Sequence, residues 1–371
     1  MKALSITNIA PHYRKDLWKN LALELNFEFW FGKSNDGITE INFEEYSEIP
    51  FKRIRNFYFK NVLIWQFGVV ADFFRQRKAI SCLVVLGEAY CISNWVLLLL
   101  SKAYRVPTCI WTHGLYGNEP GWKKFLRLRF YKLASHVLTY EKRARRLLIE
   151  SGFAQHRVSV IYNSLHYSLQ LQLRNTQMAD KQRQFPFFKN PELKCLVFIG
   201  RLSTVKKLEL LVEAFKQLPA EYNLLMIGDG PMKNNLEQSL SKHIKDQRVH
   251  FLGSLYNEAD IAPLLYNADL CVSPGNVGLT CIHALSYGTP VATHDDFSNQ
   301  MPEAEAIFPG KSGFLFENGS VLSLKESITD WFSKDRDREE IRKACYSEVD
   351  LHYNPNYQVS VFNEVLNQIR R

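Results

Sequence analysis

The stretch SPGNVGLTCIHALSYGTPV, Ser273 to Val291, reads as a turn between a buried strand and a short helix. The apolar run Leu270-Cys271-Val272 before it has the length of a buried strand. Pro274, Gly275 and Gly278 make the turn, and Leu279, Ile282, Ala284 and Leu285 follow at helical spacing. Gly288 suits the left-handed cap after a helix. Pro290 forbids continuation, so Val291 and Ala292 open the next strand. Two glycines let a ligand approach the backbone, and the N–H groups of Val277, Gly278 and Leu279 then point from a helix N-terminus toward a polar or anionic group. An ordinary strand–turn–helix corner has the same pattern, so the choice rests on what surrounds it.

The same alternation runs through the chain. Apolar runs at Ala3–Thr7, Phe27–Phe31, Ile80–Leu86, Pro107–Trp111, His136–Thr139 and Val158–Ile161 predict strands separated by helices, and Val62–Trp65 reads as a strand or a short connection. Residues 166–192 break the pattern: they are polar, rich in Gln and Asn, and interrupted by Pro186 and Pro191. The alternation resumes at Cys195–Ile199, Asn223–Ile227, Val249–Leu252 and Leu270–Val272. Such alternation predicts an α/β protein of two Rossmann-like, doubly wound parallel sheets. The expected domains are 1–165 and 193–350, joined by a connection at 166–192. A helix within 351–371 closes the chain, with the N-terminal domain as its candidate packing surface. Ligands of such sheets sit at the carboxyl ends of strands. Asn8, Glu88, His113 and Asn163 all fall at such ends.

Composition bounds the function. The 371 residues are 46% hydrophobic and 23% charged, which fits a folded protein of about two domains. No apolar run is long enough to span a membrane, and the N-terminus reads as lacking a signal peptide. The seven cysteines are scattered without a CxxC pair, which predicts buried reduced thiols in a cytosolic protein and no metal site. Net charge is +8, unevenly placed: residues 1–165 hold 24 Lys and Arg against 13 Asp and Glu, a net +11. One half therefore suits an anionic partner. No nucleic-acid-binding motif accompanies that charge.

The loop Gly200-Arg201-Leu202-Ser203-Thr204-Val205-Lys206 follows a strand directly. An Arg fork and a Lys point charge five residues apart can converge on one phosphate. With the turn at 276–279 on the same sheet, two anion sites on one rim suit a diphosphate. Gly-Arg-Leu at 200–202 with Lys206, Gly-Asp-Gly-Pro at 228–231, Phe-Leu-Gly at 251–253, Ala-Asp-Leu at 268–270 with Ser273-Pro274, and the opening stretch together resemble the C-terminal domain of GT-B glycosyltransferases of the retaining family-4, or group 1, type. Asn8 to Arg14, Trp111 to Gly114 and Val160 to Asn163 resemble, more loosely, bacterial polysaccharide-building members.

The resemblance implies two domains facing a cleft, and transfer of a sugar from a nucleotide-sugar to an acceptor hydroxyl. The donor, of UDP, GDP or dTDP type, is then a substrate, and neither cofactor nor metal is required. Arg201 and Lys206 hold the diphosphate and stabilise the departing charge. Val277, Gly278 and Leu279 contact donor oxygens, Phe251 and Tyr256 border the base, and His113 lies near the donor sugar. The family usually carries two glutamates flanking the glycine turn; Gly275 and His283 stand there instead. His283 is a candidate ribose partner, and Glu303 or Glu305 a candidate carboxylate for the same rim, although Glu305 equally suits a helix start. Glu88 either orients the acceptor, acts as general base, or caps a helix. Arg14 either binds an acceptor phosphate or makes an internal pair.

Two pieces interleave cations with aromatics: Phe51 to Lys60, and Trp122 to Lys132. That pattern suits an anionic membrane face as well as a helix packed on its own sheet. The expected function is a cytoplasmic glycosyltransferase, peripheral on the inner face of the cell membrane, acting on a saccharide or lipid-linked saccharide in surface-polysaccharide assembly. The alternatives are a nucleotide-sugar epimerase of the same architecture and a non-catalytic anionic-surface-binding protein.

Overall fold

The computed structural model describes residues 1–33, 40–42, 46–60, 62–179 and 185–369. Parts of the expected loop 33–50 and connection 166–192 lie outside them. The chain forms two compact units, Met1–His166 with Asn354–Arg371, and Tyr167–Tyr353.

The first unit holds β1 (Lys2–Thr7), β2 (Phe27–Phe31), β3 (Phe51–Arg53), β4 (Arg55–Phe59), β5 (Leu63–Phe67), β6 (Ile80–Leu86), β7 (Thr108–Thr112), β8 (His136–Thr139) and β9 (Val158–Val160). Seven of them make a parallel sheet in the order β3-β2-β1-β6-β7-β8-β9. Apolar residues alternate between its two faces, because helices cover both. Trp18, Phe29, Phe31 and Trp111 pack on one face, where Phe362 of the last helix, Pro355–Ile369, stacks edge-on against Phe27 at 5.3 Å. Leu83, Val85, Leu97 and Phe130 fill the other. Asn26, left-handed at φ 53°, ends the helix Lys15–Leu25 and turns the chain into β2.

Phe51–Lys60 is not one continuous element. It supplies the edge strand β3 and then β4, which pairs antiparallel with β5 in a separate hairpin. Three cross-strand pairs, Arg55 with Phe67, Phe57 with Trp65 and Phe59 with Leu63, put six side chains on one hairpin face.

The second unit holds β10 (Lys194–Ile199), β11 (Tyr222–Ile227), β12 (Val249–Gly253), β13 (Leu270–Val272), β14 (Val291–His294) and β15 (Gly313–Phe316), all parallel, in the order β12-β11-β10-β13-β14-β15. The stretch read as a connection begins with a helix, Tyr167–Ala179, which packs on the helix Glu258–Asn267 of this unit. All seven cysteines are buried thiols.

Each sheet reverses its strand order once, between β1 and β6 in the first unit and between β10 and β13 in the second. At such a point the loops after two neighbouring strands diverge and leave a crevice. The folds therefore single out the residues after β1, β6, β10 and β13.

Candidate functional site

In the second unit the loops after β10 and β13 meet. Gly275 is pressed against the backbone of the first loop: a Cβ there would lie 2.2 Å from Val205 O and 2.7 Å from Lys206 Cα. Asn276 N–H donates to Val205 O at 3.3 Å, and Lys206 Nζ donates to Asn276 O at 2.5 Å. Burial lowers the Lys206 pKa, and the nearby Glu303 carboxylate partly offsets it. Arg201 is exposed and makes no hydrogen bond or ion pair among the described residues. The β10 loop is also laced to the loop after β11, where Leu202 N–H donates to Asp229 O at 2.8 Å. Only a glycine fits at 228, since a Cβ would lie 1.9 Å from Gly200 O.

The three amides expected to face a ligand differ. Val277 N–H is buried and already donates to Gln300 Oε1 at 2.8 Å. Gly278 sits at φ 54° as the residue before the helix Leu279–Ser286, and the amides of Gly278 and Leu279 have no protein acceptor among the described residues. Of the three expected amides, two are therefore without a protein partner among the described residues. Thr280 Oγ1 ties it to β10 through Ile199 O at 2.9 Å.

His283 lies on the same helix and is engaged by protein. Its Nε2 is 2.9 Å from Glu258 Oε1, which also accepts from Tyr287 OH at 2.6 Å and Gln170 Nε2 at 3.1 Å. Burial works against the Glu258 charge, but the His283 charge and these donors outweigh it and hold the carboxyl near a pKa of about 2. Tyr256 is 87% exposed. Phe251, in β12, leans on the core of the unit. Glu303 is buried and Glu305 half-buried in the short helix Pro302–Ala306. Glu258 and Gln300 were not singled out from the sequence: Glu258 follows the N-cap Asn257 and reads as an ordinary first-turn acid, and Gln300 carries no local signal.

In the first unit the loops after β1, β6 and β7 line a cavity of about 430 Å³ that takes in Arg14, Glu88, His113, Tyr116 and Arg127. Asn8 Nδ2 donates to Glu88 Oε2, while Asn8 Oδ1 accepts from the buried Gln66 Nε2 at 2.9 Å. The hairpin strand β5 thereby fixes Asn8, and Asn8 fixes Glu88. Tyr131 OH, Thr112 Oγ1 and Gly114 N–H form a bonded group beneath His113. The His113 ring lies 4.6 Å from that of Tyr140, and neither ring nitrogen has a hydrogen-bond partner among the described residues. Burial first, then the charges of Arg14 and Arg127, lower its pKa to about 4, so its imidazole is neutral at pH 7. It can donate from one nitrogen and accept at the other.

Among the described residues, no group of three His, Cys, Asp or Glu is placed to hold a metal ion, and no helix is long and apolar enough to cross a membrane.

Residues 180–348 match the family model described as glycosyl transferases group 1. The chain is 31% identical over 167 residues to the sulfoquinovosyl transferase SQD2 of Arabidopsis thaliana, covering 44% of this chain and 31% of that protein. The aligned stretches span less than two thirds of the first curated relatives. Over 99% of its length the fold matches the Anabaena protein HepE in complex with UDP, at TM-score 0.70 and 18% identity and covering all of that chain. It matches the lipopolysaccharide outer core galactosyltransferase WaaB in its apo form at TM-score 0.71 and 15% identity, again over 99% of this chain and all of the other. The chain has the GT-B fold.

Proposed function

We infer, from a glycosyl transferases group 1 domain carried on a GT-B fold, that this chain transfers a sugar from a nucleotide-diphosphate sugar to an acceptor hydroxyl. The observation that carries the reading is the meeting of the β10 and β13 loops at the reversal of the second sheet, with Arg201 exposed on the first loop and the amides of Gly278 and Leu279 on the second without a protein acceptor among the described residues. An exposed guanidinium and two helix-start donors suit the diphosphate, whose charge grows as the sugar–phosphate bond breaks. Lys206 reaches it after exchanging the Asn276 carbonyl for a phosphate oxygen. As the new bond forms to the acceptor oxygen, its proton leaves, and Glu88 is the candidate to take it. UDP, which HepE binds, is the first donor base to test.

The finer reading is a saccharide or lipid-linked saccharide acceptor in surface-polysaccharide assembly, with peripheral attachment to an anionic membrane. It is supported by the first six residues of the helix Gly121–Tyr131, which are all exposed, Trp122 at 67% and Phe125 at 59% among them. Phe57, Phe59, Leu63 and Phe67 of the hairpin are exposed too. Aromatics beside Lys123, Lys124 and Arg55 suit a lipid interface with anionic headgroups.

The test is calorimetric titration of the full chain with UDP, GDP, dTDP and CDP without added metal. Binding of one of them, lost in Arg201→Ala, supports the donor site. Absence of binding to all four overturns it.

A further inference from the structure

The helix Ile92–Ala103 of the first unit is apolar on two sides. Leu97 and Leu98 are buried in the core, while Ile92, the half-buried Val96 and Leu99 follow at helical spacing on the outer side, Leu99 at 53% exposure. A helix on the surface of a soluble domain carries polar residues on that side. Next to it, β5 and the helix Val69–Gln76 help enclose a groove of about 400 Å³, walled by Trp65, Val70, Ala71, Phe74 and Leu100. Gln66 also lines the groove, but it is buried and its amide is bonded at both ends: Nε2 donates to Asn8 Oδ1 at 2.9 Å, and Oε1 accepts from Ser93 Oγ at 3.2 Å. A peptide laid there would leave most of its backbone N–H and C=O groups without partners. A hydrocarbon chain has none to satisfy.

Cations border the groove. The Arg77 guanidinium lies 4.1 Å from the ring of Phe74 and 4.6 Å from that of Tyr104, just past the end of the helix Ile92–Ala103. Leu100 lines the groove, and its neighbours Ser101 and Lys102 line a second cavity that takes in Arg105, Lys132 and Arg157 and is lined by no acid. Arg77, Lys102 and Arg105 make no ion pair among the described residues. The helix Ile92–Ala103 contains no acid, and Asp72, the one acid of Val69–Gln76, is paired with Lys52 and Arg75. An apolar face beside unpaired cations complements a molecule with a hydrocarbon chain and an anionic head.

We propose that this groove takes one hydrocarbon chain of an anionic phospholipid in a bilayer, with the lipid phosphate among Arg77, Lys102 and Arg105. The outer side of Ile92–Ala103 then lies in the bilayer interface beside that chain. The proposal rests on the membrane attachment proposed above and names the lipid held and the site that holds it.

The experiment sediments the full chain with phosphatidylcholine vesicles, with and without phosphatidylglycerol. Phosphatidylglycerol is expected to raise binding about tenfold or more, each headgroup cation contributing about fivefold. Lys102→Gln with Arg105→Gln, both exposed, is expected to erase most of that gain with melting unchanged. Phe74→Ser with Leu99→Ser is expected to weaken binding about tenfold or more. Should that pair fail to fold, Leu99→Ser alone is expected to weaken it severalfold. Titration with dodecyl phosphate below its micelle concentration, against inorganic phosphate, isolates the chain. Dodecyl phosphate is expected to bind about tenfold or more tighter. Ala71→Trp, which fills the groove from an exposed position, is expected to remove most of the difference. Phosphatidylglycerol-dependent sedimentation that survives the Lys102, Arg105, Phe74 and Leu99 changes overturns the proposal and leaves attachment through Trp122 and Phe125 standing. A wild-type chain that does not sediment overturns both. A dodecyl phosphate affinity that Ala71→Trp leaves unaltered overturns the groove assignment. So does self-association abolished by Leu99→Ser, which gives the face to a second copy of the chain.

Discussion

The turn at Gly275 and the backbone at Val205 are in contact: a Cβ on Gly275 would lie 2.2 Å from Val205 O. The position where the family resemblance leads one to expect a glutamate therefore has no room for any side chain. The loops after β10 and β13 close on each other there, and Lys206 Nζ pins them through Asn276 O.

Gly275→Ala is accordingly expected to destabilise the second unit by about 1–3 kcal/mol, the usual cost of overpacking, lowering its melting temperature by roughly 2–12 °C. UDP affinity is expected to fall with it. A variant with wild-type melting and wild-type affinity would show that the loops separate freely.

Arg201 and Lys206 are expected to separate in their effects. Arg201→Ala removes an exposed cation, so melting stays within about 0.5 kcal/mol of wild type while UDP binding weakens about tenfold or more. Lys206→Ala also removes the clasp to Asn276 O and is expected to cost about 1–3 kcal/mol of stability as well as affinity. Thermal melting with and without UDP decides it. Identical melting of the two variants would contradict the clasp.

Glu258 sets an acid limit. Its folded-state pKa of about 2 lies below the ordinary glutamate value of 4.5, so the unfolded chain takes up the proton first. The stabilisation is present in full above about pH 4.5 and is lost as pH falls toward 2. Glu258→Gln is expected to be less stable at pH 6, where His283 and Tyr287 lose their charged acceptor, and to approach wild type near pH 3. Denaturant midpoints between pH 6 and 3 measure this. A constant gap across that range would refute the assignment.

Attachment to membranes is read from exposed aromatics that the fold does not need. Trp122→Ser with Phe125→Ser is expected to leave melting unchanged, because both side chains are more than half exposed. Sedimentation with phosphatidylglycerol vesicles is expected to weaken about tenfold or more, since each side chain removes a sizeable apolar contact. Loss of folding in this variant would mean that the helix end is packed, and unchanged sedimentation would place the lipid contact elsewhere or nowhere.

The sequence by itself determined the alternation of buried parallel strands with helices and the residues at the strand ends. Both are local properties: a strand covered on two faces needs a continuous apolar run, and a turn needs its glycines within a few residues. The positions of Arg201, Lys206, Glu88 and His113 in loops that follow strands were legible for that reason. Only the tertiary structure decided which strand ends are neighbours, since β1 meets β6 and β10 meets β13 through crossovers that leave no periodic trace. It also decided that Phe51–Lys60 divides between a sheet edge and a hairpin, a choice made by pairing with β2 and β5 rather than by composition. The partners that define the candidate sites, Gln300 on Val277, Glu258 on His283, Gln66 on Asn8 and Tyr140 on Arg14, lie 23 to 126 residues away in sequence. Each bond exists because packing brings a polar side chain to a buried group that must be satisfied, and that requirement arises only once the chain has folded.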